Sequence, residues 1–220
     1  MVRFIIVRHG FSAGNKGGYF SGQLDLPLDG NGILQGQMTS DYVSRSFTVD
    51  AVYSSDLSRA ADTVRPLCDA LGIPLITTPE LRELHVGLWQ GMYPREIEEK
   101  YPEEYRKYKT EAGKYRFIGG ESYGDLTKRA AGFFDRIARE NEGKTIAVGT
   151  HGGVVRAMIA AWQGIPAEDI HSVPQVPNGS VTVAEYDGGR YNLVTVGYNG
   201  HLDAALREKT GALDGSSKLL

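Results

Sequence analysis

The sequence contains a single cysteine, Cys68, and its N-terminal apolar run is short. One cysteine cannot form a disulfide within a monomer, so we expect a reducing, cytoplasmic compartment. The opening stretch, MVRFIIVRHG, has too few consecutive apolar residues for a signal peptide or a membrane span. The composition therefore favours neither a disulfide-built secreted protein nor a membrane protein.

Neither sign of charge is in large excess. Lys and Arg total 24 against 27 Asp and Glu, which gives a formal net charge of -3. No basic stripe stands out, so we do not expect a nucleic-acid partner. Hydrophobic residues make up 41% of the 220 positions, which is ordinary for a globular protein with one buried core.

The chain has few signals for more than one domain. We predict a single α/β domain over residues 1–205, with a helix-and-loop insertion at about 89–123 that packs over the rim of the sheet. That insertion is rich in tyrosine and charge and is too short to bury a core of its own. The polar C-terminal tail, residues 206–220, ends in GALDGSSKLL, and we expect it to be flexible.

Strand-like and helix-like patterns alternate along the chain. Apolar residues at helical spacing predict helices over 56–71 and 125–139, and Asp29 is a candidate N-cap for a helix over 30–45. Alternating residues around Asp187-Gly188-Gly189 predict a β-hairpin. Three further runs predict strands of a mostly parallel sheet: VRFIIV (2–7), DAVYSS (50–55) and KTIAVGT (144–150).

Each of those three strands is followed by groups that suit phosphate binding. Arg8 and His9 follow the first strand, Arg59 lies just after the second, and His151 follows the third. In an open α/β sheet, ligands bind in the crevice beyond the carboxyl ends of the strands. The sequence therefore predicts that two arginines and two histidines meet in one anion site.

His9 is the candidate nucleophile of this site. A neutral imidazole can attack phosphorus and form a phosphohistidine, which splits one difficult displacement into two easier ones. One ring nitrogen must face the phosphorus, and the other should donate to a backbone carbonyl. The competing interpretation is a structural histidine at a strand end, and the neighbouring Arg8 and the second His-Gly pair argue against it.

Arg8 and Arg59 are the candidate clamp for the phosphoryl group, because a guanidinium forks two donors onto phosphate oxygens. Arg59 could instead be a solvated helix arginine paired with Asp56 or Asp62. His151 would add a further donor, and the flanking Gly152 would let the backbone approach the ligand closely. Two arginines in one pocket disfavour a metal ion, so we predict no metal and no cofactor.

Glu83 is the candidate proton donor. An alkoxide is a poor leaving group, so hydrolysis of a phosphomonoester benefits from a general acid. Glu83 lies in LRELHVGLWQG, just after the predicted strand PLITT. Asp56 and Asp125 are weaker candidates, and a surface pair between Glu83 and Arg82 is the competing interpretation.

These residues together resemble the histidine phosphatase superfamily, also called the phosphoglycerate mutase-like family. The resemblance covers roughly residues 2–200. R-H-G alone is a weak signal, whereas six landmarks in the family's order are a strong one: IIVRHGFSAGN, SGQLDLPLDGNG, SSDLSRAADT, LRELHVGLWQG, GGES and THGGVVR.

The resemblance implies a three-layer α/β/α fold with a mostly parallel sheet and a metal-independent reaction. It implies that His9 is phosphorylated and that Glu83 donates the proton. It also implies a phosphate pocket formed by Arg8, Arg59 and His151, with Asn15 as a further phosphate contact. Ser21 and Gly22 would line the entrance to this pocket.

Several positions depart from the family's mutases. Mutases carry a basic residue after the acid, where this chain has Leu84, and usually a polar residue where it has Gly153. Their adjacent arginine pair in the insertion is replaced by scattered Lys109, Lys114 and Arg116, and their acidic residue after R-H-G by Phe11. These departures favour a phosphatase.

Three functions follow as hypotheses. The first is a hydrolase that removes phosphate from a small phosphorylated metabolite through a phosphohistidine. The second is a cofactor-dependent phosphoglycerate mutase, and the third is a noncatalytic, regulatory binder of phosphate ligands. The expected partner is a small phosphomonoester, and exposed apolar residues of the predicted hairpin could pair two subunits in a homodimer.

Overall fold

The computed structural model of the protein describes residues 1–207. Strands and helices alternate over most of the chain. The strands are β1 (Val2–Arg8), β2 (Ala51–Ser55), β3 (Leu75–Thr78), β4 (Thr145–Thr150), β5 (Val181–Asp187) and β6 (Arg190–Tyr198). The helices are α1 (Ala13–Gly17), α2 (Gly30–Ser46), α3 (Ser58–Leu71), α4 (Pro94–Lys100), α5 (Pro102–Glu111), α6 (Tyr123–Glu140), α7 (Gly152–Trp162) and α8 (Ala204–Arg207).

The six strands of the described chain form one sheet in the order β3-β2-β4-β1-β5-β6. The pairs β1–β4, β4–β2 and β2–β3 are parallel. Strands β5 and β6 form the predicted hairpin and pair antiparallel, so the sheet is mixed with a parallel half. Because β1, β2 and β4 are parallel neighbours, their carboxyl ends lie at the same edge of the sheet.

Helices cover both faces of the sheet, which gives the expected three layers. Alternate residues of β1 enter two separate apolar clusters: Phe4 and Ile6 pack with α6 and α7, whereas Ile5 and Val7 pack with α2 and α3. Cys68 belongs to the second cluster and is 6% exposed, as a small core residue would be. Both faces are therefore buried, as the continuous apolar runs predict.

Local capping sets the helix boundaries. Asp29 caps α2 as predicted, since its side chain accepts a hydrogen bond from the Gly32 amide. Helix α3 begins at Ser58, two residues later than predicted, because Leu57 is still extended. Helix α6 begins at Tyr123, two residues earlier, because Ser122 and Asp125 form a capping box.

The insertion packs through aromatic rings onto the rest of the domain. Trp89 is fully buried and lies in ring contact with Phe20 at 5.5 Å. Backbone hydrogen bonds join Phe20 N to Met92 O at 3.0 Å and Gly91 N to Phe20 O at 2.8 Å. The insertion is thus fixed beside the loop that contains Ser21 and Gly22, and most of its tyrosines are part of the packing.

The chain after β6 returns to α2. Gln35 donates from its side chain to the Leu206 carbonyl oxygen at 2.9 Å, and Leu206 is 8% exposed. Of the predicted tail, Leu206 and Arg207 therefore lie in a packed helix, and 208–220 are outside the described residues. None of the helices in residues 1–207 combines the length and apolar character that a membrane span requires.

Candidate active site

The predicted site residues meet at the carboxyl edge of the parallel strands. Arg8 ends β1, Ser55 ends β2, and His151 follows β4 as the N-cap of α7. The rings of His9 and His151 lie edge to face with their centroids 5.1 Å apart. Both histidines are buried, although they are far apart in sequence.

His9 is held by its backbone and by one ring nitrogen. Its Nδ1 lies 2.7 Å from the carbonyl oxygen of Gly10. A carbonyl can only accept, so Nδ1 carries the ring hydrogen and Nε2 keeps a free lone pair. Burial, with the positive charges of Arg59 and Arg8, holds the pKa of His9 well below its usual 6.5. The ring is therefore neutral near pH 7.

His151 contacts Ser55 through one nitrogen, with 2.8 Å between Nε2 and the Ser55 Oγ. Its other nitrogen, Nδ1, is buried and has no hydrogen-bond partner in the described part of the chain. Burial and then the charge of Arg59 hold the pKa of His151 well below 6.5. A buried nitrogen without a partner is costly unless a ligand satisfies it.

Arg59 faces the site and makes no pair with Asp56 or Asp62, so the surface interpretation is wrong. Its guanidinium donates to the carbonyl oxygens of Leu24 at 2.7 Å and Gly22 at 2.9 Å. The side chain is 3% exposed, and burial lowers the pKa of Arg59. The two aspartates bind Arg82 and Arg65 respectively.

Arg8 lies between the second His-Gly pair and the loop before β5. It donates from Nη1 to the carbonyl oxygen of Val176. A methyl group added at Gly152 would come within 3.1 Å of the Arg8 guanidinium carbon. Gly152 therefore admits this arginine to the site, which is the close approach expected of a glycine there.

Glu83 points at the start of α7. Its Oε2 accepts from the Gly153 amide at 3.1 Å, and its Oε1 accepts from the Leu84 amide at 2.8 Å. Burial lowers the pKa of Arg59, and the negative charges of Glu83 and then of Asp25 oppose that effect. A surface pair with Arg82 is absent, because the Arg82 guanidinium binds Asp56 with bonds of 2.7 and 2.6 Å.

The other acid candidates have structural partners instead. Asp56 is held by Arg82, and Asp125 caps α6 while binding Arg116 at 2.6 Å. In both cases the hydrogen bonds lower the pKa of the carboxyl group. Of the three acid candidates, Glu83 is therefore the one whose charge acts on Arg59.

Asn15, Ser21 and Gly22 lie around the opening strand-end loop. The Asn15 Oδ1 accepts from the Ser12 amide at 3.0 Å, which orients its amide nitrogen away from that bond. Gly22 supplies its carbonyl oxygen to Arg59, with a positive φ of 48° that favours glycine. Ser21 is partly buried beside Gly14.

Several buried polar residues of the site have no signal in the sequence. Thr63 accepts from the Gly10 amide at 2.9 Å and donates to the Arg59 carbonyl oxygen at 2.7 Å. Asn178 donates to the carbonyl oxygen of His9 at 2.9 Å. These bonds join segments up to 169 residues apart, so no local spacing predicts them.

The arrangement combines two guanidinium groups, two neutral imidazoles and one carboxylate in a buried site. In residues 1–207, no three His, Cys, Asp or Glu side chains are grouped so that they could hold a metal ion. The positive charges suit a tetrahedral oxyanion, and the lone pair of His9 Nε2 adds a nucleophile.

Comparison with known proteins agrees with this chemistry. The model of the histidine phosphatase superfamily (branch 1) matches residues 4–199. Phosphoserine phosphatase 1 of Hydrogenobacter thermophilus is 31% identical over 92% of this chain and 95% of its own length. A metal-independent phosphoserine phosphatase of Arabidopsis thaliana is 35% identical over 72% of this chain and 67% of its own.

A solved structure shares the whole fold. Bacillus stearothermophilus YhfR superposes with a TM-score of 0.86 at 27% identity, covering 91% of this chain and 99% of that one. The resemblance predicted from the six sequence landmarks is confirmed over nearly the full described length. This chain therefore belongs to branch 1 of the histidine phosphatase superfamily.

Proposed function

We propose that this protein is a metal-independent phosphomonoester hydrolase that forms a phosphohistidine on His9 and acts on a small phosphorylated metabolite. The observation that carries the proposal is the tautomer of His9. Its Nδ1 hydrogen bonds to the Gly10 carbonyl oxygen, which leaves Nε2 unprotonated in a pocket with two arginines. The curated relatives named above are phosphatases, which supports hydrolysis.

In the first step, the lone pair of His9 Nε2 attacks phosphorus and the ester P–O bond breaks. The leaving oxygen takes a proton from the Glu83 carboxyl group as the P–O bond breaks. Arg8 and Arg59 stabilise the charge on the equatorial oxygens. In the second step, water attacks phosphorus, gives its proton to Glu83, and the P–N bond breaks to release phosphate and His9.

His151 supplies a further donor to the phosphoryl oxygens. The Ser55 Oγ accepts from the Leu57 amide at 3.3 Å, so its hydroxyl hydrogen is available to His151 Nε2. This assignment puts the ring hydrogen of His151 on Nδ1, the nitrogen without a partner in the described chain. A neutral imidazole then donates to the ligand without adding charge. Asn15 would donate its free amide nitrogen, with Ser21, Gly22 and Gly152 lining the approach.

The mutase alternative is weaker. Leu84 is 6% exposed and packs in the apolar core, so the position after Glu83 supplies no basic side chain for a second phosphate. Arg116 is bound to Asp125, and Lys109 and Lys114 are exposed rather than gathered at the site. A site that must hold a second phosphate needs such cations.

Hydrolysis of 4-nitrophenyl phosphate tests the proposal, with His9→Ala compared against wild type and against His171→Ala, a variant at an exposed histidine. We expect His9→Ala to lose at least about 10³-fold in kcat and His171→Ala to retain wild-type activity. A rapid quench in alkaline denaturant should trap a phosphoryl group on His9 that acid then releases. Equal rates in wild type and His9→Ala would remove His9 from the mechanism.

A substrate screen separates the three functions. Phosphoserine, sugar phosphates, nucleotides and phosphoglycerates are the panel, with mutase turnover measured in added bisphosphoglycerate. Hydrolysis of one member supports the phosphatase, efficient mutase turnover with negligible hydrolysis supports the mutase, and binding of phosphate without any turnover supports the regulatory binder.

Three finer expectations stay predictions: the single-domain boundary at 205, a cytoplasmic location, and a homodimer. Strand β6 is an edge of the sheet in the described chain, and Val194 and Val196 on it are 53% and 45% exposed. An edge strand of this kind is a ready template for pairing with a second copy. Analytical ultracentrifugation of the wild type and of Val194→Lys would measure whether two copies of the protein pair through this strand.

A further inference from the structure

Arg129 lies on α6 and reaches the loop that contains Glu83, although 46 residues separate them in sequence. Its Nη1 donates to the carbonyl oxygens of Glu80 at 2.8 Å and Arg82 at 2.9 Å. Its Nη2 lies 3.4 Å from the carbonyl oxygen of Glu83 itself. One guanidinium thus contacts three carbonyl groups of the loop over residues 80–83, and Nη1 also lies 3.5 Å from the carbonyl oxygen of Pro79.

The other side of the same guanidinium binds Glu121. The Nε–H donates to Glu121 Oε1 at 2.9 Å, and Nη2 donates to Oε2 at 2.8 Å. Together with the three loop carbonyls, these bonds use all five N–H groups that an arginine has. The pair is partly buried, with both side chains 21% exposed, so the geometry is well fixed.

The remaining groups of the loop are also satisfied. The Leu81 carbonyl oxygen accepts from Thr150 Oγ1 at 2.8 Å, and Thr150 directly precedes His151. The Glu83 carbonyl oxygen accepts from the Gln23 side chain at 2.9 Å. Every carbonyl from residue 80 to residue 83 therefore has a side-chain donor.

Glu121 holds the far end of the loop. Its Oε2 accepts from the His85 amide at 3.0 Å, and its own amide donates to the His85 carbonyl oxygen at 2.8 Å. The loop is thus fixed before and after Glu83 by one ion pair. A displacement of about 1 Å in a reacting group can cost on the order of 10²-fold in rate, so this fixation matters to the chemistry.

We infer that Arg129, through its pair with Glu121, is a positioning residue that holds the Glu83 carboxyl group at the leaving oxygen of the substrate. The inference rests on the proposed function, in which Glu83 is the proton donor. Arg129 touches neither substrate nor reacting atoms in this account. Lysine cannot replace it, because a lysine has three donors from one nitrogen and cannot span the carboxylate and the carbonyls.

A leaving-group comparison tests the inference. An alkoxide needs the proton of Glu83, whereas 4-nitrophenolate leaves readily without it. The readout is the ratio of kcat/KM for 4-nitrophenyl phosphate to kcat/KM for β-glycerophosphate, because kcat/KM reports the step in which the ester bond breaks. The variants are Glu83→Gln, Arg129→Gln and Arg129→Lys.

Arg136→Gln is the matched control. Arg136 lies on the same helix and binds the Glu80 side chain, but it donates to no carbonyl of the loop in the described chain. Thermal unfolding and circular dichroism of each variant check that the fold persists. Arg129→Lys keeps the positive charge but removes the guanidinium group. This variant therefore separates the effect of losing the guanidinium hydrogen bonds from the effect of losing a charge near His151.

We expect the ratio to rise about 10²-fold or more in Glu83→Gln and about tenfold in both Arg129 variants, with no change in Arg136→Gln. In Glu83→Gln, adding Arg129→Gln should change the ratio no further.

If Glu83→Gln raises the ratio and the folded Arg129 variants do not, this inference is overturned and the proposed function stands. A wild-type ratio in Arg129→Lys with a raised one in Arg129→Gln would assign the effect to charge and overturn it too. An unchanged ratio in Glu83→Gln overturns the proton-donor role and the inference with it.

Discussion

Substituting Gly153 by alanine should move Glu83 without unfolding the protein. A Cβ added at Gly153 would lie 2.1 Å from Glu83 Oε1. Real Cβ atoms essentially never approach another heavy atom within 3.0 Å, so the carboxylate oxygen must shift by at least 0.9 Å, the difference between 3.0 and 2.1 Å. The obstacle is the end of a flexible side chain, so the shift should change the free energy of unfolding little but should slow proton transfer.

The expected effect is specific to poor leaving groups. A shift of about 1 Å in the proton donor should lower kcat/KM for β-glycerophosphate on the order of 10²-fold, with a much smaller loss for 4-nitrophenyl phosphate. Helical alanine in place of glycine adds about 0.5–1 kcal/mol of stability, which offsets the local rearrangement. The melting temperature should therefore stay close to that of wild type.

Gly132→Ala is the control for this prediction. Gly132 lies in the middle of α6, and a Cβ added there meets no heavy atom within 4 Å. It should raise the melting temperature by roughly 2–4 °C and leave both kcat/KM values unchanged. The reasoning fails if folded Gly153→Ala hydrolyses β-glycerophosphate at the wild-type rate, because Glu83 would then not need its observed position.

The two site histidines should also make the fold acid-sensitive. Because the pKa values of both histidines in the folded state lie below 6.5, the unfolded state takes up protons at a higher pH than the folded state does. The free energy of unfolding should therefore be highest above pH 6.5 and should fall as the pH drops below that value. The loss is up to about 1.4 kcal/mol per pH unit for each histidine. Burial also lowers the pKa of His201, so His9→Asn should remove only part of the loss. Urea unfolding at pH 7.5 and 5.5 measures the loss, and equal wild-type stabilities at the two pH values would contradict the prediction. Thr63→Val should cost about 1–3 kcal/mol by leaving the buried Gly10 amide unsatisfied, and should lower kcat as well. Ser44→Ala, at a partly exposed position of α2, is its control, and a Thr63→Val protein with wild-type stability would rule out the proposed role of the bond.

The site residues at the strand ends could be predicted from the sequence, because parallel neighbouring strands have their carboxyl ends at the same edge of the sheet. Arg8, His9 and His151 each follow such a strand, so their meeting needs only the topology. The position of Arg59 in the site was harder to predict, since a helix arginine with acidic neighbours is usually solvated. Its burial depends on the carbonyls of Gly22 and Leu24, which belong to a loop without regular structure.

The residues that hold the site could not be predicted in the same way. Thr63, Asn178 and Arg129 act through side-chain bonds to distant backbone groups, and their sequence neighbourhoods are those of ordinary helix or loop residues. The mixed sheet was also only partly predictable, because the hairpin pattern does not reveal that β5 pairs antiparallel with β1. Long-range pairing of this kind depends on tertiary packing.

A crystal structure of the protein with bound vanadate would show which atom attacks the phosphoryl group. Vanadate adopts the trigonal bipyramidal geometry of a phosphoryl group in transfer, so it reports which atom is in line with the leaving group. The account predicts vanadium bonded to His9 Nε2, with its oxygens accepting from Arg8, Arg59 and His151 Nδ1. Vanadate bound in this pocket but facing another nucleophile, or bound elsewhere with the pocket empty, would contradict it.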